Sequence, residues 1–417
     1  RRGVTVAGRT PVAVTGMGVK SPVGLDLRSF WSGLCSGVSA AGPITQFDTS
    51  DHPVTFACEI GDFDIGAYIG PKEAAHLDRV THLGFAAAVD ALAHAGDLAV
   101  DPARVAVVGG TGVGGLITLE TEIIKYANKG AMRVSPFLVP MMMSNATAAY
   151  IALQHGFTGP NFSVVTACAA GANAIGEATR LLRNGEADVV IAGGAESSIT
   201  PVGLAAFNRM GALSRRKDDP LHASRPFDKD RDGFVMGEGA GFLVLESWER
   251  ATGRGAPIYG GIAGYGRNSD AYHITAPSPG GEGAVRCMEL ALEDAGINPA
   301  DIGHVNAHGT STPLNDAAEA EAVMKVFGSS GPPVSSVKGS TGHLIGAAGA
   351  VEAIASFLAM AEGQVFPTTN HVEGDPALSI DVVHGAPRSV AAAPAISNSF
   401  GFGGHNASLV LVPPPAA

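Results

Sequence analysis

Short apolar runs alternate along the chain with segments whose apolar residues recur at helical spacing. The continuous runs predict buried strands, as at residues 104–108 and 189–192. The spaced positions predict helices, as at residues 80–95 and 283–295. This alternation is typical of α/β proteins, in which helices cover the faces of a largely parallel sheet.

The pattern starts again in the second half of the chain. Residues 91–112 match residues 291–311 in the order of helix end, loop and strand, and each half later carries a strand that runs into a helix of small residues. Agreement in order as well as in local pattern favours an internal duplication. Two such halves packed about a pseudo-twofold axis would bring the ends of equivalent strands together. A site at that place would draw on both halves.

Composition narrows the class of protein. The 417 residues include 27 basic and 39 acidic side chains, and the formal charge of −12 argues against a nucleic-acid binder. Hydrophobic residues make up 46% of the chain, enough for a globular core. The apolar runs are broken short of the ~20 residues that a membrane helix needs. We therefore expect a cytoplasmic protein without a membrane partner, and residues 1–10 to be a tail partly of vector origin.

Two motifs imitate known binding sites. The glycines between Gly110 and Gly115 fit the dinucleotide fingerprint, but no acidic residue ends a second strand about 20 residues further on. The run from Asp228 to Gly233 resembles the start of a calcium loop, but its twelfth position is Gly239, where a glutamate is needed. We interpret the first as a glycine turn and the second as a charged loop.

One cysteine lies where a nucleophile could be activated. Cys168 stands between a β-rich run and a small-residue helix in SVVTACAAGANAIG, so we expect a sharp turn at a helix N-terminus. Unpaired N–H groups and the helix dipole would favour its thiolate and make it a better nucleophile than a free thiol. Free cysteines are more often small buried hydrophobes, and Cys35, Cys58 and Cys287 are assigned to that class.

Two histidines lie at strand ends in the second half, where α/β proteins form their sites. His308 ends a predicted buried strand, and His343 precedes a predicted helix. A lone histidine is more often structural. The argument that His308 and His343 are functional is therefore their predicted position at strand ends. Metal binding is the rival use, but His304 and His308, four apart on a strand, would stand ~13 Å apart and could not hold one ion. We expect no metal.

Four ordered motifs resemble the β-ketoacyl-acyl carrier protein synthases of the elongating type, similar to types I and II, in the thiolase superfamily. They are TACAAG around Cys168, NAHGTSTPLND around His308, VKGSTGHLIGAAGAVE around Lys338 and His343, and SNSFGFGGHN around Phe402. The resemblance implies a thiolase-like α/β fold, in which two duplicated βαβαβαββ halves form a five-layered αβαβα sandwich. We place the halves at residues 11–257 and 258–417.

The resemblance also implies a decarboxylative Claisen condensation. Cys168 would take an acyl chain from its carrier-protein thioester, with the backbone N–H groups of Cys168 and Phe402 as the oxyanion hole. Malonyl carrier protein would then lose carbon dioxide, and its enolate would attack the acyl-cysteine. His308 and His343 would donate hydrogen bonds to the malonyl thioester oxygen. Phe402 would also gate the acyl pocket.

Supporting roles follow from the same resemblance. Lys338 would position His308 and set the local charge, with Glu352 as its support. Thr275 and Thr310 would bind the pantetheine arm of the carrier protein. Asp316 and Glu319, by contrast, are assigned structural roles near a helix N-terminus.

The expected partners are an acyl carrier protein and a second subunit. The carrier protein brings both substrates on its phosphopantetheine, so no further cofactor is expected. The apolar, uncharged residues 137–143 predict a homodimer or a heterodimer whose interface helps to line the acyl pocket.

Fatty acid chain elongation is the preferred function, and three alternatives remain. The first is the ketosynthase subunit of a type II polyketide or polyene synthase, paired with a chain-length factor. A thiolase would carry a second catalytic cysteine where this chain has FGFGGHN. A non-catalytic chain-length factor would lack the nucleophile that Cys168 supplies.

Overall fold

The computed structural model describes residues 10–414, so the expected tail at residues 1–10 lies outside the described residues except for Thr10. The strands are, in chain order, β1 (Val12–Lys20), β2 (Gly42–Pro43), β3 (Phe56–Ala57), β4 (Val105–Gly110), β5 (Asn161–Val164), β6 (Val189–Glu196), β7 (Gly239–Ser247), β8 (Gly260–Ser269), β9 (His304–Asn306), β10 (Val334–Ser335), β11 (Gln364–Val365), β12 (Arg388–Ser389), β13 (Ala395–Gly401) and β14 (His405–Val412).

The helices alternate with these strands. They are, in chain order, α1 (Leu27–Cys35), α2 (Pro71–Ala74), α3 (Arg79–Ala95), α4 (Leu116–Lys129), α5 (Leu138–Met142), α6 (Ala146–His155), α7 (Ala170–Arg183), α8 (Pro201–Arg209), α9 (Trp248–Gly253), α10 (Glu282–Ala295), α11 (Pro313–Phe327), α12 (Lys338–Thr341) and α13 (Ala348–Glu362). The helices predicted at residues 80–95 and 283–295 are confirmed as α3 and α10.

Within the described residues, the main sheet has the strand order β10-β9-β13-β14-β8-β1-β7-β6-β4-β5. When the sheet strands of each half are numbered along the chain, both halves have the order 3-2-4-5-1. In both halves the second, third and fourth strands are parallel and the fifth is antiparallel to its neighbours. The halves meet where β1 pairs with β8. The predicted duplication is therefore confirmed at the level of topology.

Five layers result from this arrangement. Helices α3 and α6 cover the outer face of the first-half strands, and α10 and α11 cover the outer face of the second-half strands. Helices α7 and α13 lie between the two groups of strands and contact each other. The αβαβα sandwich is therefore confirmed, and its largest apolar core surrounds the two central helices.

Equivalent glycines bring the outer helices close to the first strand of each half. A β-carbon at Gly18 would lie 2.1 Å from the Ala87 carbonyl oxygen of α3, and one at Gly266 would lie 2.1 Å from the Cys287 carbonyl oxygen of α10. Only glycine permits this helix–sheet distance, so the same packing device occurs in both halves.

The central helix of the second half is unusually apolar. Within residues 10–414, the stretch Ile345–Glu362 is long and apolar enough to cross a membrane by length and composition alone. It is 83% buried inside the protein, which is the environment of a core helix.

Candidate active site

The turn before α7 carries Cys168. Strand β5 ends at Val164, a single 3₁₀ turn spans Ala167–Ala169, and α7 follows directly. Ala167 has a φ of 49°, in the left-handed region that a residue with a β-carbon rarely adopts. This strained turn places Cys168 at the N-terminal end of the helix, as the sequence predicts, with the residue only 5% exposed.

Two imidazoles from the second half meet the Cys168 sulfur. Nε2 of His343 lies 3.0 Å from Sγ, and the rings of His308 and His343 are 5.4 Å apart, edge to face. Donor atoms of all three residues lie within 4.8 Å of one another. The three side chains can therefore contact one small group, although the sequence separates Cys168 from His343 by 175 positions.

Both histidines are held by their backbones as well as by packing. His343 donates its N–H to the Val235 carbonyl oxygen at 2.7 Å and accepts the N–H of Gly237 at 2.9 Å. The carboxylate of Glu319 accepts the N–H of His308 at 2.8 Å. These contacts fix the backbone from which each ring projects before any substrate binds.

Burial keeps both rings neutral. Desolvation, with the positive charge of Lys338 beside it, lowers the pKa of His308 and of His343 well below the ordinary 6.5. A neutral imidazole still carries one N–H, so each ring can donate a hydrogen bond without adding a charge to the cavity.

Lys338 is buried rather than exposed. Its ammonium group donates to the backbone carbonyl of His308 and forms an ion pair with Glu352, and its own exposure is 1%. The short helix α12 begins at Lys338, so the side chain starts near His343 and reaches back to His308.

The thiol of Cys168 differs from the sequence-based expectation. Burial raises its pKa to about 11, while Lys338 and the backbone amides of Phe402 and Cys168 lower it by less. The turn alone therefore does not decide the pKa of Cys168, because a buried sulfur loses the water that stabilises its anion, and the nearby charge of Glu196 raises the pKa further. The amides contribute in the predicted direction but are outweighed.

The loop after β13 brings Phe402 to the same place. A β-carbon at Gly401 would lie 3.1 Å from the Cys168 nitrogen, so the two backbones approach closely. The amides of Cys168 and Phe402 therefore both face the sulfur.

A cavity of about 350 Å³ opens onto these groups. Both predicted pantetheine residues, Thr275 and Thr310, line it, and so does Phe402. The Thr310 hydroxyl is hydrogen-bonded to that of Thr312 at 2.9 Å, and Thr275 is half-buried. Much of the remaining lining is apolar, which suits a chain of methylene groups.

Comparison with known proteins places this arrangement in a family. Residues 9–251 match the β-ketoacyl synthase N-terminal domain, and residues 259–372 match the β-ketoacyl synthase C-terminal domain. The chain belongs to the β-ketoacyl synthase family. A relative from Synechocystis sp. named 3-oxoacyl-[acyl-carrier-protein] synthase 2 is 48% identical over 406 residues, covering 96% of this chain and 97% of the relative.

Solved structures give the same assignment. The ishigamide ketosynthase/chain length factor superposes with a TM-score of 0.91 at 36% identity, covering 97% of this chain and all of the other. A type II polyketide ketosynthase in complex with its acyl carrier protein has a TM-score of 0.87 at 28% identity, covering 97% of this chain and 99% of the other. The thiolase-like fold and the class of acyl-transferring condensing enzyme, with a Cys-His-His triad, are thereby confirmed.

Three residues near the triad of this condensing enzyme were not predicted as part of its site. Phe234 packs edge-on against the His343 ring at 5.3 Å, and Glu319 binds the His308 backbone although the sequence suggested a purely structural role. Glu196 ends β6 beside the loop that follows His343. The signal for Glu196 was an acidic residue four positions after the predicted end of a buried strand, behind two glycines.

Proposed function

We propose that this enzyme condenses an acyl group held on Cys168 with malonyl-acyl carrier protein, giving β-ketoacyl-acyl carrier protein in fatty acid chain elongation. The observation that carries the proposal is the approach of the Cys168 sulfur to the nitrogens of His308 and His343 in one mainly apolar cavity. A nucleophile from one half and two neutral hydrogen-bond donors from the other match the two partial reactions.

The first partial reaction loads the acyl chain. With its proton on Nε2, His343 donates toward Sγ and helps to stabilise the developing thiolate. The sulfur forms a bond to the acyl carbonyl carbon, the bond to the pantetheine sulfur breaks, and the thiol proton leaves with that sulfur. The amides of Cys168 and Phe402 bind the oxyanion of the tetrahedral intermediate.

The second partial reaction forms the carbon–carbon bond. The carboxylate carbon of the malonyl group departs as carbon dioxide, and its electron pair becomes an enolate. His308 and His343 donate hydrogen bonds to the thioester oxygen that carries the new charge, and each neutral ring has one N–H for this purpose. The enolate carbon then attacks the acyl carbonyl, the bond to Cys168 breaks, and the sulfur that leaves as a thiolate takes up a proton from solvent to restore the thiol.

The remaining predicted residues support these steps. Lys338, paired with Glu352, holds the His308 backbone and places a positive charge near both rings. Thr275 and Thr310 would bind the pantetheine arm, since they line the same cavity as the sulfur. The division into halves at residues 11–257 and 258–417 remains part of this proposal.

An acyl carrier protein is the proposed partner of the cavity. It brings the substrates on its phosphopantetheine, so the chemistry requires no further cofactor, and the proposed location is the cytoplasm. The ketosynthase that superposes at a TM-score of 0.87 was solved with its own carrier protein, which supports the same mode of delivery here.

A second subunit is proposed for the surface around α5. Phe137, Val139 and Met143 are 40%, 57% and 40% exposed, and the edge strand β5 lies nearby in sequence with Phe162 37% exposed. Light scattering should therefore give the mass of a dimer. A monomer at micromolar concentration would contradict this part of the proposal.

One specific observation favours a second candidate function, the ketosynthase of a polyketide or polyene system. One of the structures that superpose at a TM-score of 0.91 is a ketosynthase/chain length factor. In that case the second subunit would be a chain-length-factor homologue rather than a second copy of this chain.

Intact-mass spectrometry tests both functions. The enzyme is incubated with a panel of saturated, unsaturated and β-keto acyl carrier proteins, with and without malonyl carrier protein. Fatty acid elongation predicts saturated adducts on Cys168 that disappear when the malonyl substrate is added. Adducts from β-keto chains alone would favour the polyketide function, and the absence of every adduct would contradict both.

A further inference from the structure

Glu196 is a buried carboxylate that the proposed partial reactions do not use. It ends β6 and is fully buried. Its side chain accepts the N–H of Gly112 at 2.6 Å, the N–H of Gly346 at 3.1 Å and the Thr111 hydroxyl at 3.3 Å. Gly112 and Thr111 follow β4 in the first half, whereas Gly346 belongs to the second half. The carboxylate therefore joins the two halves.

The residue that it holds in the second half lies in a strained turn. Ile345, with a φ of 47°, opens a 3₁₀ turn at Ile345–Ala347, directly before α13 and two residues after His343. A β-carbon on Gly346 would lie 2.3 Å from the Gly112 nitrogen, so the two loops are in close contact. Their N–H groups converge on the Glu196 carboxylate.

His343 is consequently held from two sides. The backbone N–H and C=O of His343 itself are hydrogen-bonded to Val235 and Gly237. On its C-terminal side, the backbone is fixed at Gly346 by Glu196. Loss of this second hold would let the turn move, and a displacement of about 1 Å at a donor can cost on the order of a hundredfold in rate.

We propose that Glu196 is a positioning residue of the condensing site, whose carboxylate binds the N–H groups of Gly112 and Gly346 and thereby sets His343 opposite Cys168. The inference rests on the proposed function, because it assigns to His343 the role of a donor to the malonyl thioester. The proposed positioning depends on the reach of the Glu196 side chain and on its acceptor oxygen, whereas the negative charge of Glu196 acts separately, by raising the pKa of Cys168.

A glutamine can meet that requirement. Its amide oxygen can accept the same two N–H groups while its NH₂ group donates to the Thr111 hydroxyl oxygen. Burial raises the pKa of Glu196 to about 7, so a neutral side chain is compatible with this environment. An aspartate keeps the charge but is shorter by one methylene group and cannot reach both amides from the same backbone position.

The test measures the two partial reactions separately in E196Q, E196D and E196A. Acyl loading is followed by intact mass, and decarboxylation by release of carbon dioxide from malonyl carrier protein. We expect E196A and E196D to lose roughly tenfold more decarboxylation than loading, and E196Q to stay within about threefold of the wild type in both. Should E196A not fold, the comparison of E196D with E196Q still decides.

The matched control is E246Q. Glu246 is an equally buried carboxylate in the neighbouring strand β7, where it binds Thr15, Arg250 and Arg254. We expect its replacement to lower the melting temperature without changing the ratio of the two rates. An unchanged ratio in E196D and E196A, or the same changed ratio in E246Q, would overturn the inference. A wild-type enzyme that neither loads acyl chains nor decarboxylates would instead overturn the proposed function and this inference with it.

Discussion

The turns before α7 and α13 are equivalent in the two halves but have different functions. Each follows the third sheet strand of its half, begins with a residue at positive φ and leads into a central helix. In ACAAGA the second residue is Cys168, and in IGAAGA the second residue is Gly346. One turn presents a sulfur to a cavity, whereas the other has no space for a side chain.

The loops that face these turns differ in the same way. Glu196 and Phe402 are equivalent positions in the two halves. Each lies seven residues after the first paired residue of its fourth strand, which is Val189 in β6 and Ala395 in β13. The Phe402 amide points toward the turn with Cys168, and the Glu196 carboxylate accepts from the turn with Gly346. The duplicated scaffold thus carries a nucleophile on one side, while on the other a carboxylate bonds the turn to the opposite half.

Removing the sulfur of Cys168, which only the first turn carries, should have the largest effect on activity. Cys168→Ala removes the attacking atom, so condensation and acyl loading should both fall to background while the fold is kept. Intact mass and thermal unfolding measure the two properties. Acyl loading that survives in the variant would contradict the assignment of the nucleophile.

Removing one donor should separate the two partial reactions. His343→Ala should lose roughly 10²- to 10³-fold in malonyl decarboxylation, because a preorganised donor to the enolate oxygen is gone. Loading should fall less, since the amides of Cys168 and Phe402 remain. Equal losses in both reactions, measured by carbon dioxide release and by intact mass, would contradict this division.

Adding one methyl group should test the packing of the second turn. Gly346→Ala places a β-carbon 2.3 Å from the Gly112 nitrogen, and overpacking of this kind costs about 1–3 kcal/mol of unfolding free energy. Gly61→Ala is the control, because nothing lies within 4 Å of its β-carbon. Urea denaturation measures both variants, and equal stabilities would show that the second turn tolerates a side chain.

The pH dependence of alkylation tests the first turn in the unmodified enzyme, without a substitution. Because the raised pKa of Cys168 is about 11, the thiolate fraction should grow about tenfold per pH unit between about pH 7 and about pH 9. Iodoacetamide labelling followed by mass spectrometry measures the rate, with Cys168→Ser as the blank. A plateau below about pH 8 would mean that the amides of the turn outweigh burial.

Sequence patterns predicted the elements well where apolar spacing is regular, and less well elsewhere. Helices α3 and α10 begin within one residue of their predicted starts. Strand β6 extends to Glu196, beyond the predicted end at residue 192, because its last positions are glycine, alanine and a buried acid rather than large apolar residues. Helix α4 was not predicted, because exposed apolar side chains such as Ile123 and Tyr126 obscure its periodicity.

The sequence by itself determined the α/β class, the duplication, and the placement of Cys168 before a small-residue helix and of His308 just after a strand, because these follow from local periodicity and from which residues stand next to small-residue helices. The predicted strand-end position of His343 is wrong, since helix α12 lies between strand β10 and His343. Only the tertiary structure decided the burial of Cys168, which raises the pKa of its thiol, and the contacts of Glu196 with Gly112 and Gly346. The pKa depends on desolvation, and the contacts join residues far apart in the chain. Neither desolvation nor such contacts can be read from neighbours in sequence. The turn whose amides favour a thiolate is buried in the folded protein, and that burial raises the pKa of Cys168.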